Sequence, residues 1–147
     1  MSQALRLTDG ALILVDVAEG VSSSTLRVLR QCYQERVKPL LVLNKIDRLK
    51  NELEFDTETA YQHLSMIIDL VNVALGRYIS SDLASRLQIK NRPGRKLNKA
   101  KRAKLQERFN KMEEEAEERL LFSPEKGNVI FCSAIDQWAF TIEEFAK

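Results

Sequence analysis

Two short polar clusters follow directly on apolar runs, and their residue types could act on a common ligand. Asn44-Lys45-Ile46-Asp47 follows Leu40-Leu41-Val42-Leu43, and Ser133-Ala134-Ile135 follows Val129-Ile130-Phe131-Cys132. A carboxylate such as Asp47 accepts at both oxygens and can take two adjacent donors at once, with charge assistance. The Asn44 amide can serve a ligand or pin a neighbouring loop. Lys45 can lay its aliphatic stem along an apolar surface while its ammonium stays in water. The small Ala134 leaves its backbone N–H approachable. Asp16 also follows an apolar run, Ala11-Leu12-Ile13-Leu14-Val15.

The elements that must carry these residues are legible. The run at 11–15 lies between Asp9-Gly10 and Glu19-Gly20. Being continuous rather than alternating, it reads as a strand buried on both faces of a parallel sheet. Ser22 to about Arg36 places Leu26, Leu29, Cys32 and Tyr33 at helical spacing, with an N-cap among Ser22–Ser24. Pro39 closes that helix and opens the second strand. A second helix starts near Asp56 or Thr57, and Ala60, Leu64, Ile67, Ile68, Val71, Ala74 and Leu75 give it one apolar face over about four turns. Gly127-Asn128 precedes the third strand, which Ser133 ends. A last helix starts around Thr141, with Glu143 and Glu144 favoured by its dipole. Trp138, Phe140 and Phe145 read as its core packing.

This order predicts an α/β fold, a parallel sheet with flanking helices and right-handed crossovers. Such sheets bind ligands beyond the carboxyl ends of their strands. The residues at issue are therefore 16–20, 44–48 and 133–137.

Composition excludes several classes. The chain has 147 residues, 44% hydrophobic and 30% charged, with a net charge of +2. That is ordinary globular composition. No apolar run approaches the length of a membrane span, and the first residues lack a signal-peptide core. Cys32 and Cys132 are too few for a disulfide scaffold or a zinc site, and read as buried thiols in a reducing cytoplasm. His63, the only histidine, lies mid-helix far from the strand ends, and no metal ligand set is expected.

At the strand ends the sequence resembles the translational GTPases, whose guanine-reading elements are Asn-Lys-x-Asp and a later Ser-Ala. The likeness continues through SQALRLTDGALILVDVAEGV, LRVLRQCYQERVKPLLVLNKIDRL, AYQHLSMIIDLVNVALG and FSPEKGNVIFCSAIDQWAFTIEEFA. These segments resemble the elongation factor 2 family. The stretches NKIDRL, SAID and SPEKGN look closer to the elongation-factor-like GTPases of large ribosomal subunit maturation than to elongation factor 2 itself. The resemblance implies the second half of a Ras-like, P-loop GTPase-type domain. It implies GTP or GDP held through the guanine by Asn44, Lys45, Asp47, Ser133, Ala134 and Ile135. Asp47 would take the guanine N1–H and N2–H₂ together; adenine, lacking that pair of donors, would leave the carboxylate desolvated and unpaired. Lys45 would cover the purine face, and the Ala134 N–H would donate to the guanine carbonyl.

The phosphate-loop half is missing. No Gly-x-x-x-x-Gly-Lys-Ser/Thr occurs among the 147 residues, so no cradle for phosphates and no hydroxyl for Mg²⁺ is offered. The family's switch and catalytic His are expected before Met1. Asp16 does not match the switch aspartate and takes no catalytic role. The chain alone is expected to be inactive, with no catalytic residue of its own and Mg²⁺ bound only in the complete protein. Without a neighbouring strand, the run at 11–15 is expected to present an apolar edge prone to aggregation.

Three regions are expected: 1–79, the guanine-recognition part; 80–121, a charged insert, helical or partly disordered; and 122–147, the last strand and the start of the final helix. Between Leu83 and Gln106 lie nine basic residues and no acidic one, whereas 107–118 contains six Glu. The stretch Arg92–Lys104 could meet ribosomal RNA phosphates in a salt-dependent way, or it could be a solvated face balanced by the acidic half. Without aromatics it offers no base stacking. The expected partner is the large ribosomal subunit, with neither DNA nor membrane. The expected role is GTP-driven release of an anti-association factor. The alternatives are elongation factor 2 proper, acting in translocation, or a nucleotide-independent RNA- or protein-binding module.

Overall fold

The computed structural model describes Leu5, residues 7–90 and residues 99–146, with backbone alone at 86–90, 99–102 and 105. Strands β1 (Gly10–Asp16), β2 (Lys38–Asn44), β3 (Val129–Ser133) and β4 (Trp138–Phe140) form one sheet in the order β1-β2-β3-β4. The first three are parallel: Asp16 pairs with Asn44, and Leu43 with Phe131. This register places the ends of β1, β2 and β3 side by side. β4 was not anticipated. It runs antiparallel to β3, pairing Ser133 with Trp138. Four residues separate the two strands, which suffices for a hairpin but not for a parallel crossover.

Helix α1 (Ser23–Glu35) begins at Ser22, whose Oγ accepts from the Thr25 N–H at 3.1 Å. It ends at Arg36 in a left-handed conformation, its N–H donating to the Cys32 and Tyr33 carbonyls. A C-cap of this kind, not Pro39, closes the helix; Pro39 is already the second residue of β2. A short helix, α2 (Asp47–Asn51), follows β2 directly and carries no apolar period of its own. Asp56 Oδ1 accepts from the Thr59 N–H at 3.1 Å and so caps α3 (Thr57–Lys90). That bond and the Thr59 hydroxyl hold the Asp56 carboxyl below the usual carboxylate range.

α3 is 34 residues long, about twice the expected length. The apolar face read from sequence is real, with Ile67, Ile68, Val71 and Leu75 buried, and it continues through Ile79 and Leu83. A second apolar stripe, Met66, Leu70 and Val73, is about half exposed. The expected boundary at 79/80 falls inside this helix. The compact units part at 74/75 rather than there, and at 121/122. The first unit, 1–74 with 122–147, holds the sheet; the second is 75–121. Within the second, Ser80 Oγ bonds Glu113 of α4 (Lys99–Leu120). Within the first, the Asn72 side chain bonds both the N–H and the carbonyl of Phe122, at 2.8 Å each. Those two bonds fix the chain entering the 3₁₀ turn Pro124–Lys126 and β3. Among the described residues no helix is long and apolar enough to cross a membrane.

The core lies on one face of the sheet. Ile13, Val15, Leu41, Leu43 and Val129 are at most 2% exposed. Burying side chains of this size contributes about 1.5–3 kcal/mol each. The expectation that β1 is buried on both faces fails: Leu12 is 61% and Leu14 59% exposed. β1 is an edge strand, and no described element covers those side chains. α5 (Ile142–Phe145) starts at Thr141 in a reciprocal capping box with Glu144, but it is only one turn long. Trp138, Phe140 and Phe145 do not form its core. Phe140 stacks between Phe131 and Trp138 and meets Phe145, which is 77% exposed.

Candidate guanine-recognition site

Asn44, the last residue of β2, organises the strand ends. Its Oδ1 accepts from the Lys45 N–H at 2.8 Å, the Ala134 N–H at 3.2 Å and the Cys132 thiol at 3.3 Å. One amide oxygen thus joins the loop after β2 to the loop after β3. Of the two roles open to Asn44 from sequence, the structure shows it pinning the loop. Cys132, like the buried Cys32, is a free thiol pushed up by burial.

Lys45 turns the chain. Its φ of 66° is left-handed, a conformation that L side chains adopt at a cost. The Ile46 N–H then reaches across to the Cys132 carbonyl at 3.3 Å, and α2 opens with Asp47. The helix start and the inter-loop bonds together aim the Asp47 carboxylate at Ser133. Asp47 Oδ1 lies 2.7 Å from Ser133 Oγ, a buried hydroxyl that is 0% exposed. No described donor bonds Asp47 Oδ2.

Sequence reasoning left two residues without a role here. Asp136 Oδ2 lies 2.8 Å from the same Ser133 Oγ, and the Asp136 N–H donates back to that oxygen at 3.3 Å. A hydroxyl has one hydrogen, so Ser133 serves one of the two carboxylates at a time. Asp16 is the second. Its Oδ2 is 2.7 Å from Lys45 Nζ and 3.6 Å from Arg48 Nη1, while Oδ1 accepts from the Ala18 N–H at 2.9 Å. Burial pushes the Asp16 carboxyl up, but the Lys45 and Ala18 bonds and the Lys45 and Arg48 charges outweigh it. The net result is a carboxyl below the usual carboxylate range. The signal for Asp16 was available in principle: a carboxylate ending β1 stands in register with the end of β2, one residue before a lysine.

The remaining expected site residues are placed as follows. Ala134 is exposed, but its N–H is engaged by Asn44, so a guanine carbonyl would have to share it. Ile135 is 79% exposed and makes no polar contribution. The expectation that His63 lies far from the strand ends fails: its Nε2 is 2.7 Å from the carbonyl of Val17, the residue that follows β1, and its ring meets Phe55 edge-on. His63 props the loop after β1. Among the described residues no group of three His, Cys, Asp or Glu could hold a metal ion. Of the run Arg92–Lys104, residues 92–98 lie outside the described residues.

Asp47 Oδ2 is left to accept from a ligand, and the Ala134 N–H, already donating to Asn44 Oδ1, stands on the neighbouring loop after β3. The family described as the elongation factor Tu GTP binding domain matches residues 1–146. The chain is similar to the human Elongation factor-like GTPase 1, at 40% identity over 148 positions that cover 100% of this chain and 13% of the relative. It is similar to Ribosome assembly protein 1 of Saccharomyces cerevisiae, 43% identical over 157 positions, which cover 100% of this chain and 12% of the relative. The protein of the same name in Schizosaccharomyces pombe is 37% identical over 147 positions, again 100% of this chain and 12% of the relative. The chain therefore spans about an eighth of the length of the curated relatives it matches.

Proposed function

The chain belongs to the family of elongation factor Tu GTP-binding domains, and on that premise we propose that its strand ends form the guanine-reading part of a GTPase acting in large ribosomal subunit assembly. The observation that carries this reading is the Asp47 carboxylate held 2.7 Å from buried Ser133 Oγ, with Oδ2 left to accept from a ligand. Asp47 takes guanine N1–H and N2–H₂, Lys45 covers the purine face, and Ala134 shares its N–H with the guanine carbonyl. Asn44, Ser133 and Ile135 complete the loops. The relatives' names, which speak of a GTPase and of ribosome assembly, support the assembly role over translocation. Within that role the chain serves a cytoplasmic protein that helps release an anti-association factor from the large subunit. Arg92–Lys104 contacts ribosomal RNA phosphates.

Phosphates and Mg²⁺ are handled by other parts of the complete protein, because no Gly-x-x-x-x-Gly-Lys-Ser/Thr is present here and Asp16 is already paired. These residues alone therefore hydrolyse GTP no faster than buffer. The test is the base preference of the chain, read by NMR titration with GDP, ADP and xanthosine diphosphate. Xanthine carries a carbonyl where guanine carries its amine. Asp47→Asn, which adds a donor, should weaken GDP and strengthen the xanthine nucleotide. Equal binding of GDP and ADP by the unsubstituted chain would sink the reading.

A further inference from the structure

Asp16 joins β1 to the segment after β2 through side chains, by Lys45 at 2.7 Å and, at greater distance, by Arg48. Three features set the Asp16–Lys45 contact apart from a surface ion pair. The Asp16 side chain is only 16% exposed. Both of its oxygens are engaged, Oδ2 by Lys45 Nζ at 2.7 Å and Oδ1 by the Ala18 N–H at 2.9 Å, so the carboxylate cannot rotate freely. Its backbone is fixed as well: it pairs with Asn44 in the sheet, its carbonyl accepts from the Gly20 N–H at 2.8 Å, and the next N–H, of Val17, donates to the Asn44 carbonyl at 3.0 Å. Lys45 itself begins from a left-handed backbone, which fixes where its stem departs. The stem is thus held at both ends, by its own Cα and by Asp16.

We infer that Asp16 is a positioning residue for guanine nucleotide, holding the Lys45 stem extended so that it meets the purine face ready-made. This rests on the guanine-site reading above and deepens it. A free lysine carries several rotatable bonds, and ordering them on binding weakens affinity; a stem already ordered avoids that loss. Arg48 stands 3.6 Å from the same Asp16 oxygen but is drawn to Glu52 Oε1 at 3.0 Å. Arg48 is therefore a secondary partner, and Lys45 is the residue Asp16 positions.

The test uses the 147-residue chain and two measurements, one of which needs no nucleotide. In the free protein, ¹³C relaxation of the Lys45 side-chain methylenes reports their order. They should be restricted in the unsubstituted chain, averaged in Asp16→Asn and restricted again in Asp16→Glu. Equal order in the unsubstituted chain and Asp16→Asn overturns the inference whatever becomes of the guanine site. In the GDP titration the Lys45 methylene protons should move upfield under the ring current of the base. Asp16→Asn should shrink that displacement and raise the GDP Kd by about two- to fivefold, the scale of such an ion pair. On a Lys45→Met background Asp16→Asn should cost no further affinity. Independent, multiplying effects of the two substitutions, or unchanged GDP affinity in a folded Asp16→Asn chain, overturn it. If the unsubstituted chain binds GDP without any Lys45 displacement, the positioning role is wrong while the guanine site stands; if it discriminates no base at all, the guanine site itself is wrong.

Discussion

The two faces of the sheet are made from adjacent residues of the same type, yet they end in opposite surroundings. Ile13 and Val15 are at most 2% exposed, whereas Leu12 and Leu14, between and beside them on β1, are 61% and 59% exposed. Strand geometry alone puts neighbours on opposite faces; what decides burial is whether another element covers that face. On the covered side, β1, β2 and β3 present a continuous layer that ends in Ser133, the hydroxyl against which Asp47 is set. On the other side only the central Val42 is buried, shielded by the strands to either side of it. The site straddles the sheet's rim: Ser133 stands on the covered face, whereas Asn44 and Asp16, at the ends of β2 and β1, alternate onto the other.

That contrast can be broken or sharpened by substitution. Leu43→Ala, on the covered face and one residue before Asn44, should cost about 2–5 kcal/mol through the cavity it leaves. Urea unfolding followed by circular dichroism would show it as a lower midpoint. Asn44→Ala removes the acceptor shared by Lys45, Ala134 and Cys132 and should cost about 1–3 kcal/mol, the range for leaving polar partners unsatisfied. Its signature is local: amide exchange at residues 45 and 134 should accelerate more than at residues within β2.

The Asp16 pair makes a smaller and pH-dependent contribution. Because its folded carboxyl lies below its ordinary value, ionisation favours the folded state. The stability it supplies is present above the unfolded value of about 3.9 and fades as pH falls through the folded one. Asp16→Asn should therefore be less stable than the unsubstituted chain at pH 7 by up to about 1 kcal/mol, and the gap should narrow toward pH 3. Unfolding midpoints at the two pH values check the sign. At the bottom of the scale, Leu14→Thr puts a β-branched strand former on the uncovered face and should change stability by no more than about 0.5 kcal/mol. A large loss there would mean that the uncovered face is packed after all.

The same contrast explains what could be read in the sequence. The three parallel strands, α1 and the polar clusters after β2 and β3 were legible because each follows from a local pattern: an apolar run, a helical period, a cap. The exposure of Leu12 and Leu14 was not, since a continuous apolar run looks the same whether one face or both are covered. The full length of α3 was hidden because its apolar face gives way to charged residues beyond Leu83 without any helix-stopping residue before Pro93. β4 was hidden because three residues, Trp138–Phe140, are too few for a period and their aromatics suit a core equally well. At the site, residue types pointed to Asn44 and Asp47 through a family motif. The Asp16–Lys45 and Ser133–Asp136 contacts depend on strand register and on a hairpin, neither of which the motif encodes.

Position 45 carries a standing conflict of its own. Its backbone torsion is one that glycine or asparagine tolerates best, whereas the reach to Asp16 demands a long cationic side chain. Gly or Asn there would relieve about 1 kcal/mol of torsion but forfeit the Asp16 pair, worth up to about as much, so folding stability alone is indifferent to the choice, and lysine at this position is set by what its side chain reaches.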